Sequence, residues 1–240
     1  MRRITLRIGL LLVVLTAAGI TTFAFWLDRQ PDPLDLLPAA AVSYHSDPAG
    51  KGTIDIDGLL TPATASIVEQ MVKTPPGPIA TLRIRSNGGG GNGADRLAKL
   101  ANANNLRVRV DDRTICSSAC VIFLGAVQTR LLDIAPGAWL RVHGRSTGAD
   151  DPVDRQPSTV MDTWVESLSP AWYRFLKACT SKPLVRDAGL AMTWGEVKAL
   201  ERAPGSIDCD RIAYRTKDWL FGGMKMPATA APVNVIRPGR

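Results

Sequence analysis

Short segments of alternating side chains, separated by amphipathic stretches, run through the middle of the chain. Residues 53–57 alternate apolar and polar side chains as a half-buried strand does, and Thr61 followed by Pro62 is typical of a helix start. Further strands are predicted at 79–85 and 106–110, with an amphipathic helix between them. Because parallel strands are usually connected through helices, this order predicts an α/β fold of stacked β/α units around a largely parallel sheet.

The N-terminal region follows a different pattern. Its residues from 8 to 26 carry no formal charge and are apolar apart from three threonines, and at about 1.5 Å rise per residue they are long enough to cross a bilayer core of ~30 Å. Three arginines precede the segment, which predicts a cytoplasmic N-terminus and an external remainder. A cleaved signal peptide is the alternative, although Thr22-Phe23-Ala24 is a poor cleavage site. We therefore predict an N-terminal transmembrane helix, with cytoplasmic residues and anchor together at 1–27.

The rest of the chain divides into a linker, one domain and a tail. Residues 28–51 contain four prolines without sustained periodicity and are predicted to be a semi-rigid linker. The predicted domain covers 52–223, and inside it the spacing Thr193-x-x-Glu196 predicts a capping box at the start of a helix. Residues 224–240 contain three prolines and are predicted to be a disordered tail.

Composition argues against several functions. The 240 residues include 29 Lys and Arg against 22 Asp and Glu, a net charge of +7, but the basic residues form no run. This argues against nucleic-acid binding. No metal site is predicted, because the chain has only two histidines and its close cysteine pair lacks the spacing of a zinc motif. No cofactor is predicted either.

The four cysteines would face an oxidising compartment in this topology, where an even number usually forms disulfides. Four cysteines allow three pairings. We expect Cys179 to pair with Cys209. The pairing of Cys116 with Cys120 stays open, because residues four apart on a regular helix are poorly oriented for a bridge, whereas a distorted first turn would permit it.

Three features have the chemistry of an acyl-transfer site. Gly88 and Gly89, in a glycine run after the second predicted strand, could present amide groups to a substrate carbonyl, but such a run is also typical of a flexible turn. Ser118 stands at the predicted start of a buried helix, where both a nucleophile and a capping serine would fit. His143 ends a predicted strand as either a general base or a structural residue.

These segments resemble the proteolytic subunit of the Clp protease (ClpP) and the wider crotonase superfamily. Residues 84–89, Ile-Arg-Ser-Asn-Gly-Gly, resemble the family's Asn-Ser-Pro-Gly-Gly loop, and residues 116–125 resemble its nucleophile helix. The separation of 25 residues between Ser118 and His143 is also what the family shows. The resemblance covers roughly residues 53–143 and implies a ClpP-like or crotonase-like fold. The segment Cys-Ser-Ser-Ala-Cys also resembles the Cys-x-Ser-Ala-Cys core of a periplasmic subgroup.

The resemblance implies a serine hydrolase site made of six residues: Ser118, His143, Asp187, Gly88, Gly89 and Ala119. Ser118 would attack a carbonyl and His143 would take its proton, while the amides of the glycine loop and of Ala119 would hold the oxyanion. Asp187 would complete the triad. Asp208 matches the structural aspartate of the family's C-terminal segment, and a Ser–His dyad is the alternative to a triad.

Two alternatives follow from departures and variants within the family. Asn87 stands where the family loop has proline, and signal peptide peptidase A uses a lysine base, for which Lys99 is the candidate here.

The implied protein is a membrane-anchored serine peptidase or acyl hydrolase, single-pass in a bacterial inner membrane and facing the periplasm. It would act on a polypeptide substrate and could form a homo-oligomer. The alternative is a catalytically inactive ClpP-like module that binds a peptide or a partner protein.

Overall fold

The computed structural model describes residues 36–143, 159–179, 189–205 and 207–221. The predicted anchor at 1–27, Asp187 and the predicted tail at 224–240 lie outside the described residues. Within the described part of the chain, no helix is both long enough and apolar enough to span a membrane.

Strands occupy eight segments of these residues: β1 (Ala41–Ser46), β2 (Gly52–Asp57), β3 (Ile79–Arg85), β4 (Arg107–Val110), β5 (Ile115–Ser117), β6 (Leu132–Ile134), β7 (Trp139–Val142) and β8 (Leu190–Thr193). They form a five-stranded sheet in the order β1-β2-β3-β4-β6 and a three-stranded sheet in the order β5-β7-β8. Strands β2, β3, β4 and β6 run parallel, which confirms the predicted parallel sheet. β1 and β8 are antiparallel to their neighbours.

The described residues form seven helices: α1 (Pro62–Lys73), α2 (Gly91–Ala103), α3 (Ala119–Ala126), α4 (Thr159–Leu168), α5 (Pro170–Cys179), α6 (Trp194–Arg202) and α7 (Cys209–Phe221). Strands and helices alternate as predicted from β2 to β4, whereas α4 and α5, and α6 and α7, follow one another without a strand between them. A 3₁₀ turn at Thr129–Leu131 precedes β6. The fold of this region is therefore mixed α/β, as predicted.

Local capping chemistry explains where two of the helices begin. Thr61 caps α1, since its Oγ1 accepts a hydrogen bond from Thr64 N at 3.2 Å, and Pro62 takes the first helical position. The predicted capping box opens α6. Thr193 Oγ1 accepts from Glu196 N at 3.2 Å, and the Glu196 carboxylate accepts from Thr193 N at 2.8 Å.

The predicted linker at 28–51 is wrong for the six residues of β1, because Ala41–Ser46 pairs with β2 along its whole length. Val42 and Tyr44 pack against the core, so an apolar alternation is present between the prolines. His45 falls within this predicted linker by its position, yet it lies opposite Thr53 in the sheet, with its Nδ1 3.1 Å from Asp55 Oδ2. The ordered domain therefore begins before Gly52.

The two sheets meet beside the start of α3. Ser86 N donates to the Ile115 carbonyl at 2.9 Å, and Ser117 N donates to the Ser86 carbonyl at 2.9 Å. These bonds join the carboxyl end of β3 to β5. The first three residues of α3, together with Phe123 and Leu124, are buried in the core, which confirms the predicted buried helix.

Candidate active site

Ser118 occupies the sharp turn between β5 and α3. Its backbone has φ 53° and ψ −119°, and a non-glycine residue in such a sparsely populated region costs on the order of 1–3 kcal/mol. Its N–H donates to the Arg141 carbonyl at 2.9 Å, and its carbonyl accepts from Val121 N at 2.8 Å. The hydroxyl makes no capping hydrogen bond with the helix. The turn therefore uses the backbone of Ser118 to start α3 and does not use its side chain as a cap.

Ser117 is the nearest alternative hydroxyl, and its surroundings differ. Ser117 is the last residue of β5 and is 1% exposed, whereas Ser118 is half-buried. Ser117 Oγ has no hydrogen-bond partner among the described residues. A nucleophile has to be reached by its substrate, so the exposure favours Ser118 over its neighbour.

The glycine loop lies directly against Ser118. Gly88 has φ 126° and Gly89 has φ 129°, which glycine adopts far more readily than other residues. A methyl group placed on Gly88 would lie 3.0 Å from Ser118 Cβ and 3.6 Å from Ser118 Oγ. The loop therefore reaches the candidate nucleophile only because position 88 has no side chain.

Hydrogen bonds separate the roles of the two glycine amides. Gly88 N donates to Ser86 Oγ at 3.1 Å, so this amide is already used within the loop. Leu60 N donates to the Gly88 carbonyl at 2.7 Å and Gly90 N donates to the Leu60 carbonyl at 3.0 Å. In this parallel bridge the N–H of Gly89 points away from Leu60. Gly89 is therefore the better of the two predicted oxyanion donors.

A second amide comes from the start of α3. Ala119 is the first residue of this helix, and the amides of a first turn have no partner within the helix. The same helix end carries a partial positive charge, which favours a developing oxyanion. Ala119 follows Ser118 directly, so its amide is adjacent to the serine along the chain.

His143 follows the last residue of β7. β5 and β7 are parallel neighbours with Ser117 opposite Arg141, so their carboxyl ends lie side by side. Ser118 and His143 each come just after one of these ends, which brings them to the same edge of the small sheet. Burial lowers the pKa of Arg141, two residues before His143, from its ordinary value.

The other predicted acids and bases are placed differently. Asp187 lies outside the described residues. Asp208 precedes α7 and accepts from the backbone N–H of Asp210 at 2.7 Å, an arrangement that stabilises the start of that helix. Lys99 is 75% exposed on α2 and pairs with Asp95 at 2.6 Å. A base in that state is solvated and already paired, which disfavours Lys99 as the general base.

Sequence reasoning missed two residues that shape this site. The Ser86 hydroxyl donates to the Gly88 carbonyl at 3.0 Å and accepts from the amide of the same residue, so it fixes the glycine loop. Gly189, with φ 71°, packs on His143, and a methyl group there would lie 2.7 Å from His143 Cβ. Serine before a glycine turn is a known turn signal that could have found Ser86. A lone glycine gives no comparable signal for Gly189.

Other candidate sites lie away from Ser118. The described residues contain no group of three or more side chains able to hold a metal ion. A cavity of about 320 Å³ lies near the C-terminal end of α3, where Leu124, Trp194 and Lys198 are among its lining residues. None of the six predicted site residues lines this cavity.

Solved structures similar to this chain include ClpP proteases and a methylmalonyl-CoA decarboxylase. ClpP1 from Listeria monocytogenes shares 16% identity, with a TM-score of 0.44 over 62% of this chain and 86% of that one. The ClpP protease catalytic domain from Plasmodium falciparum shares 11% identity, with a TM-score of 0.42 over 63% and 81%. A methylmalonyl-CoA decarboxylase shares 9% identity, with a TM-score of 0.44 over 80% and 86%. No family model and no curated protein sequence matches the chain.

Proposed function

We propose that this protein is a serine peptidase or related acyl hydrolase in which Ser118 is the nucleophile and His143 the general base. The observation that carries the proposal is the backbone of Ser118, held with positive φ on a strand-to-helix turn. Such strained positions cluster at active sites. A capping role does not explain the strain, because the hydroxyl makes no capping bond.

In the proposed reaction, Ser118 Oγ bonds to the substrate carbonyl carbon while His143 accepts the hydroxyl proton. The amides of Gly89 and Ala119 stabilise the oxyanion, a contribution of about 3–4 kcal/mol for such donors. Protonated His143 then gives the proton to the leaving amine or alcohol. Water attacks the acyl-enzyme by the same route and restores Ser118.

We further propose that the domain faces the periplasm from a single-pass anchor and acts on polypeptides there. Two observations support this placement. The described cysteines form two disulfides, Cys116–Cys120 and Cys179–Cys209, and such bonds persist mainly in oxidising compartments. Residues 8–26 have the length and composition of a membrane span.

A fluorophosphonate probe tests the nucleophile, because it forms a stable Ser Oγ–P bond with loss of fluoride only at an activated serine. The full chain in detergent should be labelled, and Ser118→Ala should abolish the labelling. Ser117→Ala is the matched control, since it removes the neighbouring hydroxyl. This variant should keep most of the labelling, because Ser117 Oγ has no partner among the described residues.

The alternative function predicts a different result in the same experiment. A catalytically inactive module that binds a peptide or a partner would stay unlabelled in several detergents and across a range of pH. Equal labelling of wild type and Ser118→Ala would place the reactive serine elsewhere. Either result would contradict the proposed nucleophile.

A further inference from the structure

We infer that the Cys116–Cys120 disulfide is a positioning device that holds Ser118 in its reactive backbone conformation. The inference rests on the proposed function, in which Ser118 is the nucleophile. It assigns the bond a role that the other disulfide of the described residues does not share.

The disulfide encloses the candidate nucleophile. Its sulfur atoms lie 2.07 Å apart and its Cα atoms 5.2 Å apart, with a sequence separation of four. Ser118 is the central residue of the five that the bond closes into a ring. The turn is therefore constrained from both sides by a covalent bond as well as by the backbone hydrogen bonds of Ser118.

Both ends of the ring are held in the core. Cys116 lies in β5, opposite Leu140 of β7 on one side and bridged to Ser86 on the other. Cys120 is the second residue of α3, and both cysteine side chains are fully buried. With its ends fixed in two packed elements, the ring leaves conformational freedom mainly at the three residues between them. Ser118 carries the positive φ of that short segment.

A backbone with positive φ is unfavourable for serine and relaxes when its surroundings permit. Without the disulfide, the first turn of α3 loses its covalent link to β5, which makes it easier for Ser118 to relax towards a favourable φ. That movement would shift its hydroxyl relative to His143 and the Gly89 amide. Reactivity depends steeply on such distances, since a misplacement of about 1 Å can reduce a rate by about 100-fold.

The second disulfide provides a matched control. Cys179 ends α5 and Cys209 begins α7, with a sequence separation of 30. This larger loop constrains the unfolded chain more than the small ring does. The bond joins two helices, and neither of its cysteines lies in the turn between β5 and α3, although the loop between them contains Asp187 and Gly189. Removing it should lower the melting temperature more than removing the ring, without slowing the reaction of Ser118.

The experiment compares two double variants of the full chain, Cys116→Ala/Cys120→Ala and Cys179→Ala/Cys209→Ala. We expect the first to react with the fluorophosphonate probe about 10- to 100-fold more slowly than wild type. Its melting temperature should fall less below that of wild type than the melting temperature of the second variant does. The second should react at the wild-type rate below its melting temperature. Equal labelling rates for the first variant and wild type would overturn the inference.

Hydrogen exchange separates failure of this inference from failure of the proposed function. Peptides that cover residues 115–126 should exchange faster in Cys116→Ala/Cys120→Ala, while peptides from α1 stay unchanged. An unlabelled wild type would refute the proposed function. The exchange rates would still test whether the Cys116–Cys120 disulfide holds the turn at Ser118. Unchanged exchange in that region would overturn the positioning role.

A folding failure is also decisive. If the double alanine variant does not fold, Cys116→Ser/Cys120→Ser keeps the side-chain size and takes its place. Failure of both, beside a folded Cys179→Ala/Cys209→Ala, would assign the bond to fold stability and refute the positioning role.

Discussion

Contacts from four separate segments hold the backbone of Ser118 in its strained conformation. Its N–H is bound by β7 and its carbonyl by α3, the disulfide closes around it, and Gly88 packs against its side chain. A cost on the order of 1–3 kcal/mol persists only where the surrounding structure outweighs it. Changes to these neighbours should therefore affect both the stability and the reactivity of the turn.

Replacing Gly88 with alanine tests this coupling. The new methyl group would lie 3.0 Å from Ser118 Cβ on a backbone with φ 126°, so we expect a loss of about 1–3 kcal/mol in the free energy of unfolding and strongly reduced probe labelling. Gly91→Ala is the control, because a methyl group there meets nothing within 4 Å. It should stay within about 1 kcal/mol of wild type, since alanine suits a helix better than glycine. Similar effects for both variants, measured by chemical denaturation and labelling, would contradict the close approach.

The pH dependence of labelling tests His143. Only a neutral imidazole can accept the serine proton, so the labelling rate should rise with pH through the range around ~6.5 where an unperturbed histidine titrates. His143→Ala should lower the rate by several orders of magnitude.

His45→Ala is the matched control for this assignment. His45 contacts Asp55 in the five-stranded sheet, away from the edge where Ser118 and His143 lie, so its removal should leave the labelling rate and its pH profile unchanged. A flat profile, combined with loss of reactivity in Lys99→Ala but not in His143→Ala, would instead support a lysine base.

At the scale of elements, one cluster joins β8, α6 and α7. The Glu196 carboxylate completes the capping box of α6 and accepts hydrogen bonds from Arg215 of α7 at 2.6 and 2.9 Å. Arg215 also stacks on Trp139 of β7, with its Cζ 4.8 Å from the centre of the indole ring. β8 pairs with β7 up to Val142, the residue before His143. This cluster therefore supports the strand that positions the candidate base.

Glu196→Gln should destabilise this cluster in a pH-dependent way. Burial alone would raise the pKa of Glu196, but hydrogen bonds from Arg215 and Thr193 outweigh it and lower the pKa from its ordinary value of 4.5. The charged form therefore stabilises the fold above that pH, and the stabilisation is lost as the pH falls through the lowered pKa. We expect a loss of about 1–2 kcal/mol at neutral pH, typical of a lost cap, which shrinks below pH 4.5.

Thermal unfolding at several pH values measures this effect, and Glu201→Gln is its control. Glu201 lies on the same helix, where burial alone would raise its pKa but hydrogen bonds from Lys198 and Ser169 outweigh it and lower the pKa. Its pair with Lys198 is exposed, so the change should stay below about 1 kcal/mol at every pH. If the stability lost in Glu196→Gln did not depend on pH, the charge of Glu196 would not be the cause of the loss.

For the whole molecule, topology is the property to test. Alkaline phosphatase fused after residue 240 should be active in a bacterial host, and green fluorescent protein at the same place should stay dark, because the first folds only outside the cytoplasm and the second only inside. Protein isolated from the envelope should have no alkylatable thiol before reduction. When residues 2–27 are deleted, the phosphatase fusion should be inactive, the fluorescent-protein fusion should fluoresce, and the thiols should react without prior reduction. Fluorescence from the full-length fusion would refute the periplasmic placement.

Near-neighbour patterns in the sequence were sufficient for much of the fold. The alternation at 53–57 reflects a strand whose isoleucines are buried while Asp55 and Asp57 pair with arginines of the next strand. The Thr61 cap and the Thr193 capping box depend on residues within one helical turn. Because these features rest on local periodicity and local hydrogen bonds, the sequence alone determined them.

Contacts between distant residues decided the rest. β1 exists because β2 supplies its hydrogen bonds, and the prolines on both sides of it made the whole segment resemble a linker. The Cys116–Cys120 bond requires a strand and a helix to meet at a strained turn, a geometry that no spacing rule predicts. The sequence by itself determined which residues are candidates for the site, whereas the tertiary structure decided the backbone of Ser118. A positive φ at a serine persists only where packed neighbours hold it.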